Sequence, residues 1–366
     1  MPDAELRYTA KALETFIGQA FEAVGVPSND ATIVAKIMAD IDLGGGSGHG
    51  IFRLPQYIQR IKAGGINVTP NIQIERETDA MAMVNGDNAL GHLVMRLATD
   101  TAIAKAKKQG IAWVGVHHSN HAGAASVYAR MALKHDMIGI YSAVGSANHL
   151  PPWGGIEMLL STNPIAFAIP TDQEPPIVLD MATTVAAYGK VKTAAQRGET
   201  MPEGWMMDFE GKPLTDPNKS NEGFLLPIGG YKGYGLALIL GLLAGTLNGA
   251  AMGKDVVDFN ADDTTETNTG QFIIAISVDA FGDAKAFKKQ VDTVARQMKA
   301  SPTLPGVDQV HLPGEQSDAK RKDYIESGIP VHPELLQVLH KLADDLGIKP
   351  LNWFQSGNDA RNLELP

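Results

Sequence analysis

The chain has 366 residues and a mass of 39.0 kDa, which exceeds the comfortable size of one hydrophobic core and favours two domains. A hydrophobic content of 44% with 20% charged residues is typical of a globular protein, and a net charge of −10 argues against a nucleic-acid partner. Cysteine is absent, which excludes disulfides, thiolate nucleophiles and cysteine-ligated zinc. The N-terminus lacks the pattern of a secretory signal, so we expect a cytoplasmic protein.

The first third of the chain is predicted to be helical. Apolar residues recur at helical spacing between residues 13 and 24, and Ser28 is expected to cap a second helix. The glycine-rich stretch 44–48 that follows is too flexible for a regular element.

From about residue 80, short apolar runs alternate with helical patterns. We predict strands at 80–84, 111–116, 137–143, 164–169, 177–179 and 272–278, and helices at 90–108 and 123–134. This alternation predicts an α/β layer domain with a mixed sheet, although the sequence does not give the order of the strands.

Residues 233–253 carry no charge and are long enough to cross a bilayer. The segment nevertheless contains six glycines together with Thr246 and Asn248, and its densely apolar part is short. We therefore predict a core or interface helix here rather than a membrane span.

Both chain ends are expected to contribute to one helical domain. Residues 260–270 form a polar, acidic stretch that we predict to be a loop. A helix over 284–299 and the segment 330–346 are expected to pack back onto the N-terminal helices. The predicted division is a discontinuous helical domain for substrate binding and dimerisation, residues 1–78 and 284–366, and an α/β cofactor-binding domain, residues 79–283.

The first candidate site is a polar ridge near residue 50. If a helix runs over residues 49–62, then His49, Arg53 and Tyr57 share one face at i, i+4 and i+8. Arginine binds a carboxylate through two parallel hydrogen bonds, and histidine transfers protons because its unperturbed pKa is about 6.5. A solvated amphipathic helix would show the same spacing, but the preceding glycines allow close approach of a ligand and favour function. Four apolar residues are expected on the opposite face: Ile51, Leu54, Ile58 and Ile61.

The second candidate is His117-His118-Ser119-Asn120-His121-Ala122-Gly123, which follows a buried strand and opens a helix. Enzymes of the α/β class place their sites there, beside a helix N-terminus. Three histidines suggest a metal, but no H-x-x-x-H pair lies within a helix and no acidic residue is adjacent, so we expect no metal. His117 is predicted to be a satisfied core histidine.

Loops rich in glycine or hydroxyl residues form a third group. They are Gly154-Gly155, Ser161-Thr162-Asn163-Pro164, Asp180-Met181-Ala182-Thr183 and Gly229-Gly230-Tyr231-Lys232-Gly233. Lys232 beside flanking glycines is suited to a pyrophosphate, although each loop alone is equally an ordinary turn. No G-x-G-x-x-G, P-loop or G-x-S-x-G motif occurs, so a dinucleotide would need an unusual site.

Taken together, these residues resemble the malate/L-lactate dehydrogenase family, a non-Rossmann type that includes ureidoglycolate dehydrogenase, diketogulonate reductase and piperideine-2-carboxylate reductase. The resemblance covers roughly residues 10–340. The motifs that carry it are Gly48-His49-Gly50 with Arg53 and Tyr57, Ser119-Asn120-His121 with Gly123, Pro152-Trp153-Gly154-Gly155, Thr162-Asn163-Pro164, Asp180-Met181-Ala182-Thr183, Pro202-Glu203-Gly204-Trp205, Lys232-Gly233, Pro313-Gly314-Glu315 and Gly328-Ile329-Pro330.

The resemblance implies a homodimer with a non-Rossmann NAD(P)-binding domain, and hydride transfer between NAD(P)H and C2 of a small 2-oxo acid or a cyclic imine. It implies a proton donor at His49 or His121, and substrate binding by Arg53, Tyr57 and Asn120. The cofactor-binding residues that it implies are Ser146, Asp180, Met181, Ala182, Thr183, Lys232, Gly233, Gly314 and Glu315.

One position departs from the family pattern. A serine usually precedes the first histidine directly, whereas here Gly48 stands in that place and Ser47 lies one residue earlier. The departure bears on the substrate more than on the reaction class.

The hypothesis is that Arg53 anchors a carboxylate while one of the two histidines protonates the developing alkoxide at C2. Two alternatives stay open: a cyclic imino acid reductase of the same family, and a non-catalytic ligand-binding dimer. Asp172 and Glu174 would suit a ribose hydroxyl better than a 2′-phosphate if their loop meets the adenosine, so NAD is favoured over NADP.

Overall fold

The computed structural model describes residues 6–46 and 48–351. Its N-terminal part consists of β1 (Leu6–Tyr8), α1 (Ala10–Ala23) and α2 (Ser28–Leu43). The Thr9 side chain caps α1 by accepting a hydrogen bond from the Ala12 amide at 3.0 Å. The predicted capping role of Ser28 is wrong, because α2 already begins at that residue. Pro27 occupies the cap position, and its carbonyl accepts the first helical hydrogen bond.

A seven-stranded mixed sheet forms the centre of the molecule; the mixed sheet is confirmed, whereas its edge strand β2 was not predicted. Its strands are β2 (Gln73–Glu77), β3 (Met81–Asn85), β4 (Ile111–Ser119), β5 (Met137–Ala143), β8 (Ile165–Ile169), β9 (Ile177–Met181) and β13 (Thr269–Ser277). The spatial order is β2-β3-β4-β13-β5-β8-β9, in which only the β3–β4 pair is parallel. β13 comes late in the chain yet lies between β4 and β5, so the sheet depends on contacts that no local pattern reveals.

Two helices that the sequence predicts cover the sheet. α4 (Gly91–Gln109) connects the parallel strands β3 and β4, and α5 (Ala125–Met131) packs on β5 and β8. The helix predicted over 123–134 is shorter in the structure, where α5 is followed by a 3-10 turn, Leu133–His135. The remaining strands are short: β6 (Asn148–Leu150) pairs with β7 (Leu160–Ser161), and β10 (Met206–Asp208) lies between β11 (Pro213–Leu214) and β12 (Gly223–Leu225).

Six further helices complete the described part of the chain. They are α3 (Leu54–Lys62), α6 (Tyr188–Arg197), α7 (Tyr231–Ala244), α8 (Ala284–Lys299), α9 (Glu315–Ser327) and α10 (Pro333–Leu346). The chain ends meet, because β1 pairs antiparallel with β14 (Ile329–Val331) and α10 packs against α1 and α3.

The packing of α8 differs from the sequence-based expectation. Its buried Asp292 accepts hydrogen bonds from the backbone amides of Asp172 (3.1 Å) and Gln173 (2.8 Å), and Arg296 pairs with Glu174 at 2.7 Å. α8 therefore lies against the loop between β8 and β9. A buried carboxylate makes this contact, whereas the apolar Val294 and Met298 of the same helix are exposed. The division into two domains stays a prediction.

The uncharged segment forms α7, which has one buried and one exposed side. Its buried residues are Gly233, Ala237, Leu240, Gly241 and Ala244. Leu236, Ile239 and Leu242 lie on the exposed side. Within residues 6–46 and 48–351, no helix combines the length and the apolar character that crossing a bilayer requires.

Candidate active site

The polar ridge predicted as one helix over residues 49–62 is built from two pieces. A 3-10 turn, Ile51–Arg53, precedes α3, and His49 lies in the turn before it. Pro55 interrupts the regular helix because it has no N–H to donate. The predicted apolar face is confirmed, since Ile51, Leu54, Ile58 and Ile61 are all buried.

Asp42 of α2 fixes the start of this segment. Its buried carboxylate accepts a hydrogen bond from the Ile51 amide at 2.8 Å. A Cβ at position 50 would overlap that carboxylate, so only glycine fits there. Burial raises the pKa of Asp42 to about 7, although the Ile51 hydrogen bond lowers it. Asp42 could not be recognised from the sequence, because an acidic residue inside a predicted helix is ordinarily solvated. Gly48 has open space around it, and Ser47 lies outside the described residues.

The two candidate histidines come together, although they belong to separate motifs. The rings of His49 and His121 stack with centroids 5.7 Å apart. The Tyr57 hydroxyl lies 2.5 Å from Nδ1 of His121, and Phe259 packs against both Tyr57 and His121. His121 therefore has a hydrogen-bonding partner that orients its ring, which is the usual arrangement around an acid–base group.

Burial makes these groups neutral. It lowers the pKa of His49 to about 4, and the nearby positive charge of Arg53 lowers it further. Burial and then Arg53 likewise hold the pKa of His121 well below its usual value. The fully buried Tyr57 has a raised pKa for the same first reason. At neutral pH the site thus holds neutral imidazoles beside a protonated phenol and a cation.

Arg53 is oriented by neutral partners. Its Nε donates to the Gly48 carbonyl at 3.1 Å and its Nη1 donates to Oδ1 of Asn260 at 2.7 Å. Asn260 is itself held by Oδ1 of Asp258, which accepts from its backbone amide at 2.8 Å and from its side chain at 3.2 Å. Within the described part of the chain, Arg53 forms no salt bridge, so its charge is available to an anion.

Asn260 and Asp258 were not predicted as site residues. Asn260 is the first residue of the predicted polar loop 260–270 and Asp258 lies two residues before it, and the structure confirms that loop up to β13. The D-x-N spacing is a signal for a local turn, but nothing in the sequence connects that turn to Arg53.

The side chain of Asn120 has a structural role. Its side-chain amide donates to the Asn88 carbonyl oxygen, to Asn88 Oδ1 and to the Ala89 carbonyl at 2.8–3.2 Å, and its Oδ1 accepts from the Thr267 hydroxyl at 3.0 Å. The residue is fully buried. These bonds use the donors and the acceptor of the amide and fix the backbone that carries His121.

The other two histidines of the second motif point elsewhere. His117 pairs with Glu75 at 3.0 Å and His118 with Glu266 at 2.6 Å. His117 is satisfied as expected, by a hydrogen bond to Glu75, but it is only partly buried and is not a core residue, because β2 places a carboxylate that is distant in sequence beside it. Among the described residues, no cluster of three potential metal ligands occurs.

The candidate cofactor residues follow one edge of the sheet. Asp180 on the edge strand β9 accepts a hydrogen bond from the Ser126 amide at 2.8 Å, at the start of α5. Gly314 lies against Val178 of the same strand. Thr183 is fully buried and donates its hydroxyl to the Thr162 carbonyl at 2.8 Å, so its side chain is structural.

The turn before α7 fits a dinucleotide phosphate. Gly229 and Gly230 have φ angles of 59° and 66°, which favour glycine, and no side chain caps the helix. Gly233 has no room for a side chain, because a Cβ would meet the Ile228 carbonyl. The exposed Lys232 stands beside uncapped amides of the first helical turn, and such groups bind phosphate oxygens. Ser146, at the turn after β5, is partly exposed and fits the same role.

A small cavity lies near Gly314 at the same sheet edge. Its charged lining consists of Glu174, Lys299 and Glu315. Lys299 pairs with Glu315, and that ion pair is the main cause of the lowered pKa of Glu315. Backbone hydrogen bonds connect both features to β9 and the residues after it, since the Val178 amide donates to the Pro313 carbonyl at 3.0 Å and the Ile228 amide donates to the Thr183 carbonyl at 3.0 Å.

A mixed sheet, a helical layer and a candidate arginine–histidine site define the class as an α/β protein. Comparison with known proteins identifies the family: residues 8–340 match the model of the malate/L-lactate dehydrogenase family. The chain is 39% identical to the malate/(S)-sulfolactate dehydrogenase of Methanothermus fervidus, over 93% of this chain and 97% of that protein. It is 36% identical to the malate dehydrogenase of Pyrococcus abyssi, over 94% and 96% of the two chains.

The fold agrees with a solved structure of the same group. The sulfolactate dehydrogenase of Methanocaldococcus jannaschii superposes with a TM-score of 0.87 at 36% identity, covering 95% of this chain and 99% of that one. The chain belongs to the malate/L-lactate dehydrogenase family, so the resemblance seen in the sequence is confirmed. It is an oxidoreductase, and dehydrogenases of this family use NAD or NADP.

Proposed function

We propose that the protein interconverts a small 2-hydroxy acid and its 2-oxo acid at the site formed by Arg53, Tyr57 and His121. The observation that carries this proposal is the Tyr57–His121 contact beside Arg53, which forms no salt bridge with any residue that the structure describes. The names of the relatives support the substrate class, because malate and sulfolactate are both 2-hydroxy acids.

Arg53 is proposed to hold the substrate carboxylate through its planar fork of donors. The bound carboxylate offsets the positive charge that lowers the pKa of His121, so the imidazole becomes more basic when substrate is present. In the tautomer that this requires, Nδ1 of His121 carries the ring proton and donates it to the Tyr57 oxygen, so Nε2 is free to take the proton of the C2 hydroxyl. In the reverse direction the imidazolium returns the proton to the alkoxide. A bound nicotinamide supplies the hydride chemistry.

We assign the proton transfer to His121 rather than to His49. The described residues offer the His49 ring a stacking contact with His121 but no hydrogen bond, whereas Tyr57 orients His121. Asn120 is proposed to position His121 instead of touching the substrate, because its amide is fully used by the scaffold.

The cofactor is proposed to lie along β9, between the Gly314 cavity and the turn that carries Lys232. NAD is favoured, because Glu174 and Glu315 line the cavity and are each paired with a cation. A 2′-phosphate would have to displace these ion pairs. We expect at least a tenfold higher kcat/KM with NADH than with NADPH, as measured by cofactor oxidation at saturating oxo acid.

A homodimer is proposed to form through the exposed side of α7. Leu236, Ile239 and Leu242 on this helix are each at least one-third exposed, as is Leu247 in the turn after it, and such clusters mark interfaces. Light scattering on the purified protein tests this, and a monomer that retains full activity would contradict it. The cytoplasmic location stays a prediction.

The test of the function is a turnover screen with histidine variants. Pyruvate, oxaloacetate and piperideine-2-carboxylate are offered with NADH and NADPH, and we expect turnover of an oxo acid. His121→Ala is expected to lower kcat by at least about 100-fold, and His49→Ala by less. Turnover of the imine alone would favour the imine reductase, and quenching of tryptophan fluorescence by NADH without any turnover would favour a binding protein.

A further inference from the structure

A third histidine packs against Tyr57. His92 belongs to the first turn of α4 and is fully buried. Its ring meets the Tyr57 ring edge to face, with the centroids 5.3 Å and the planes 71° apart. Nε2 of His92 faces Gly123, since a Cβ at that position would lie 3.2 Å from it. His92 therefore contacts both the tyrosine that orients His121 and the segment that directly follows His121.

Neither ring nitrogen of His92 has a hydrogen-bond partner among the described residues. Burial lowers the pKa of His92 to about 3, so the ring is neutral at physiological pH and one of its nitrogens is an acceptor. Unpaired buried polar atoms are unfavourable, and an apolar side chain of similar size would fill the same space without that cost. Native proteins keep few such atoms, and those they keep often serve function.

Tyr57 has the complementary deficit. In the tautomer proposed above, its oxygen accepts a hydrogen bond from Nδ1 of His121, so the hydroxyl hydrogen must point to another acceptor. The part of the chain that the structure describes offers the hydroxyl no second hydrogen bond. The rings that pack against Tyr57 are those of Phe21, His92, His121 and Phe259. Of these four rings, that of His92 has the nitrogens without a partner in the described chain.

We propose that His92 is a positioning residue of the acid–base unit, which accepts a hydrogen bond from the Tyr57 hydroxyl that tightens when His121 takes the substrate proton. The proposal rests on the proposed function, since it assumes that His121 transfers that proton. Each proton of the chain stays on its own atom while the hydrogen bonds shorten. Donation to His92 makes the Tyr57 oxygen a stronger acceptor for the imidazolium, because hydrogen bonds in a chain polarise one another. Hydrogen bonds of this kind are often long in the free enzyme and tighten with substrate bound.

Glutamine and methionine at position 92 separate hydrogen bonding from packing, because the two side chains are similar in size and the amide of glutamine provides an acceptor. In His92→Met, we expect kcat to fall about tenfold with KM changed less than about twofold. The kcat of His92→Gln should be at least about fivefold higher than that of His92→Met. The melting temperature of His92→Met should be no lower than that of His92→Gln, because methionine leaves no buried polar atom unpaired. Equal kcat values in the two variants would overturn the proposal.

A double substitution tests whether His92 acts through the Tyr57 hydroxyl. Tyr57→Phe removes the hydroxyl and keeps the ring, and it should itself lower kcat. Adding His92→Met to Tyr57→Phe should lower kcat by less than about twofold more, because the hydrogen bond is already lost. A further tenfold decrease would mean that the two residues act independently and would contradict the proposal.

Phe21→Leu is the packing control. Phe21 packs on the same tyrosine ring, with centroids 6.3 Å apart, but it carries no nitrogen. The substitution should lower the melting temperature, because it removes buried volume, and should change kcat by less than about threefold. A loss of kcat as large as that of His92→Met would show that packing on Tyr57 explains both effects, against the proposal.

Failure of the proposed function gives a different pattern. If the wild-type protein turns over none of the three substrates offered above, nitrogen NMR of the histidine rings still tests His92, whose resonances are assigned by their loss in His92→Gln. A His92 nitrogen that accepts a hydrogen bond in the wild type but not in Tyr57→Phe supports the contact. Identical His92 resonances in these two proteins contradict it.

Discussion

The two ends of α3 each carry an arginine, and both arginines reach the loop of residues 258–265. Arg60, near the C-terminal end, is fully buried and donates to the backbone carbonyls of Asp262, Thr265 and Gly65. Its guanidinium also lies 4.9 Å from the ring centroid of Phe259. Arg53, just before the helix begins, is partly exposed, and it meets the loop through the side chain of Asn260.

The comparison shows that Arg60 holds one part of the loop in place, whereas Arg53 contacts the other part and keeps donor capacity for a ligand. Arg60 donates from both Nη atoms to backbone carbonyl oxygens, which are permanent parts of the fold. Its charge therefore stabilises the structure. Arg53 donates from Nε and Nη1, and its Nη2 forms no hydrogen bond within the described residues. Free donor capacity, rather than residue type, separates the candidate ligand from the structural residue.

The largest effect is expected for Arg53→Ala. Loss of the carboxylate anchor should lower kcat/KM about 1000-fold, because a bidentate charge-assisted interaction disappears from the transition state. The melting temperature should stay within about 2 °C of the wild-type value, since a partly exposed side chain is removed. Steady-state kinetics and a thermal melt check both expectations. A stability loss as large as that of an Arg60 variant would mean that Arg53 is a structural residue, as Arg60 is.

Arg60→Met is expected to act in the opposite way. It leaves three backbone carbonyls without a donor in the interior, and we expect a loss of about 3 kcal/mol in the free energy of unfolding. Denaturant titration measures this loss. The methionine side chain resembles the aliphatic part of arginine, so most of the packing against Phe259 is kept. A loss below about 1 kcal/mol would therefore mean that the carbonyls find other donors.

How much of this the sequence predicts depends on the range of the contact. Local periodicity predicted the apolar face of α3 and the strand over residues 137–143. It also placed His49, Arg53 and Tyr57 on one segment. The place of β13 in the sheet and the roles of Asp42 and Asn260 depend on tertiary contacts. A buried carboxylate such as Asp292 is also invisible to periodicity, because the pattern assigns charged residues to the solvent. Family resemblance joined His121 to His49, which spacing alone does not do.

A smaller effect, on thermal stability, is expected for Asp42→Asn. This substitution changes the residue that accepts a hydrogen bond from Ile51, two residues before Arg53. The folded-state pKa of Asp42 is raised to about 7 from an unfolded value of about 4. Because folding raises this pKa, the contribution of Asp42 to the stability of the protein is fully present below pH 4 and is lost as the pH rises through 7. The amide stays neutral and can still accept the Ile51 hydrogen bond.

Asp42→Asn should therefore match the wild-type melting temperature near pH 4.5 and exceed it by roughly 2–5 °C at pH 8. Asp40→Asn is the control on the same helix, because Asp40 pairs with Arg321 and its loss should lower the melting temperature at pH 8. The same difference between Asp42→Asn and wild type at both pH values would show that Asp42 is already ionised at pH 4.5.

The smallest effect is expected at Asn260, and it separates orientation of Arg53 from its charge. Asn260→Ala removes the acceptor for Nη1, so KM should rise about tenfold while kcat changes little, because the fork still carries its charge. Asn260→Asp keeps the acceptor but adds a carboxylate 2.7 Å from the guanidinium, where it competes with the substrate. KM should then rise further than in the alanine variant, and the excess should shrink at high salt. If Asn260→Asp binds substrate as well as the wild type does, Arg53 is not the carboxylate anchor, and the two ends of α3 are both structural.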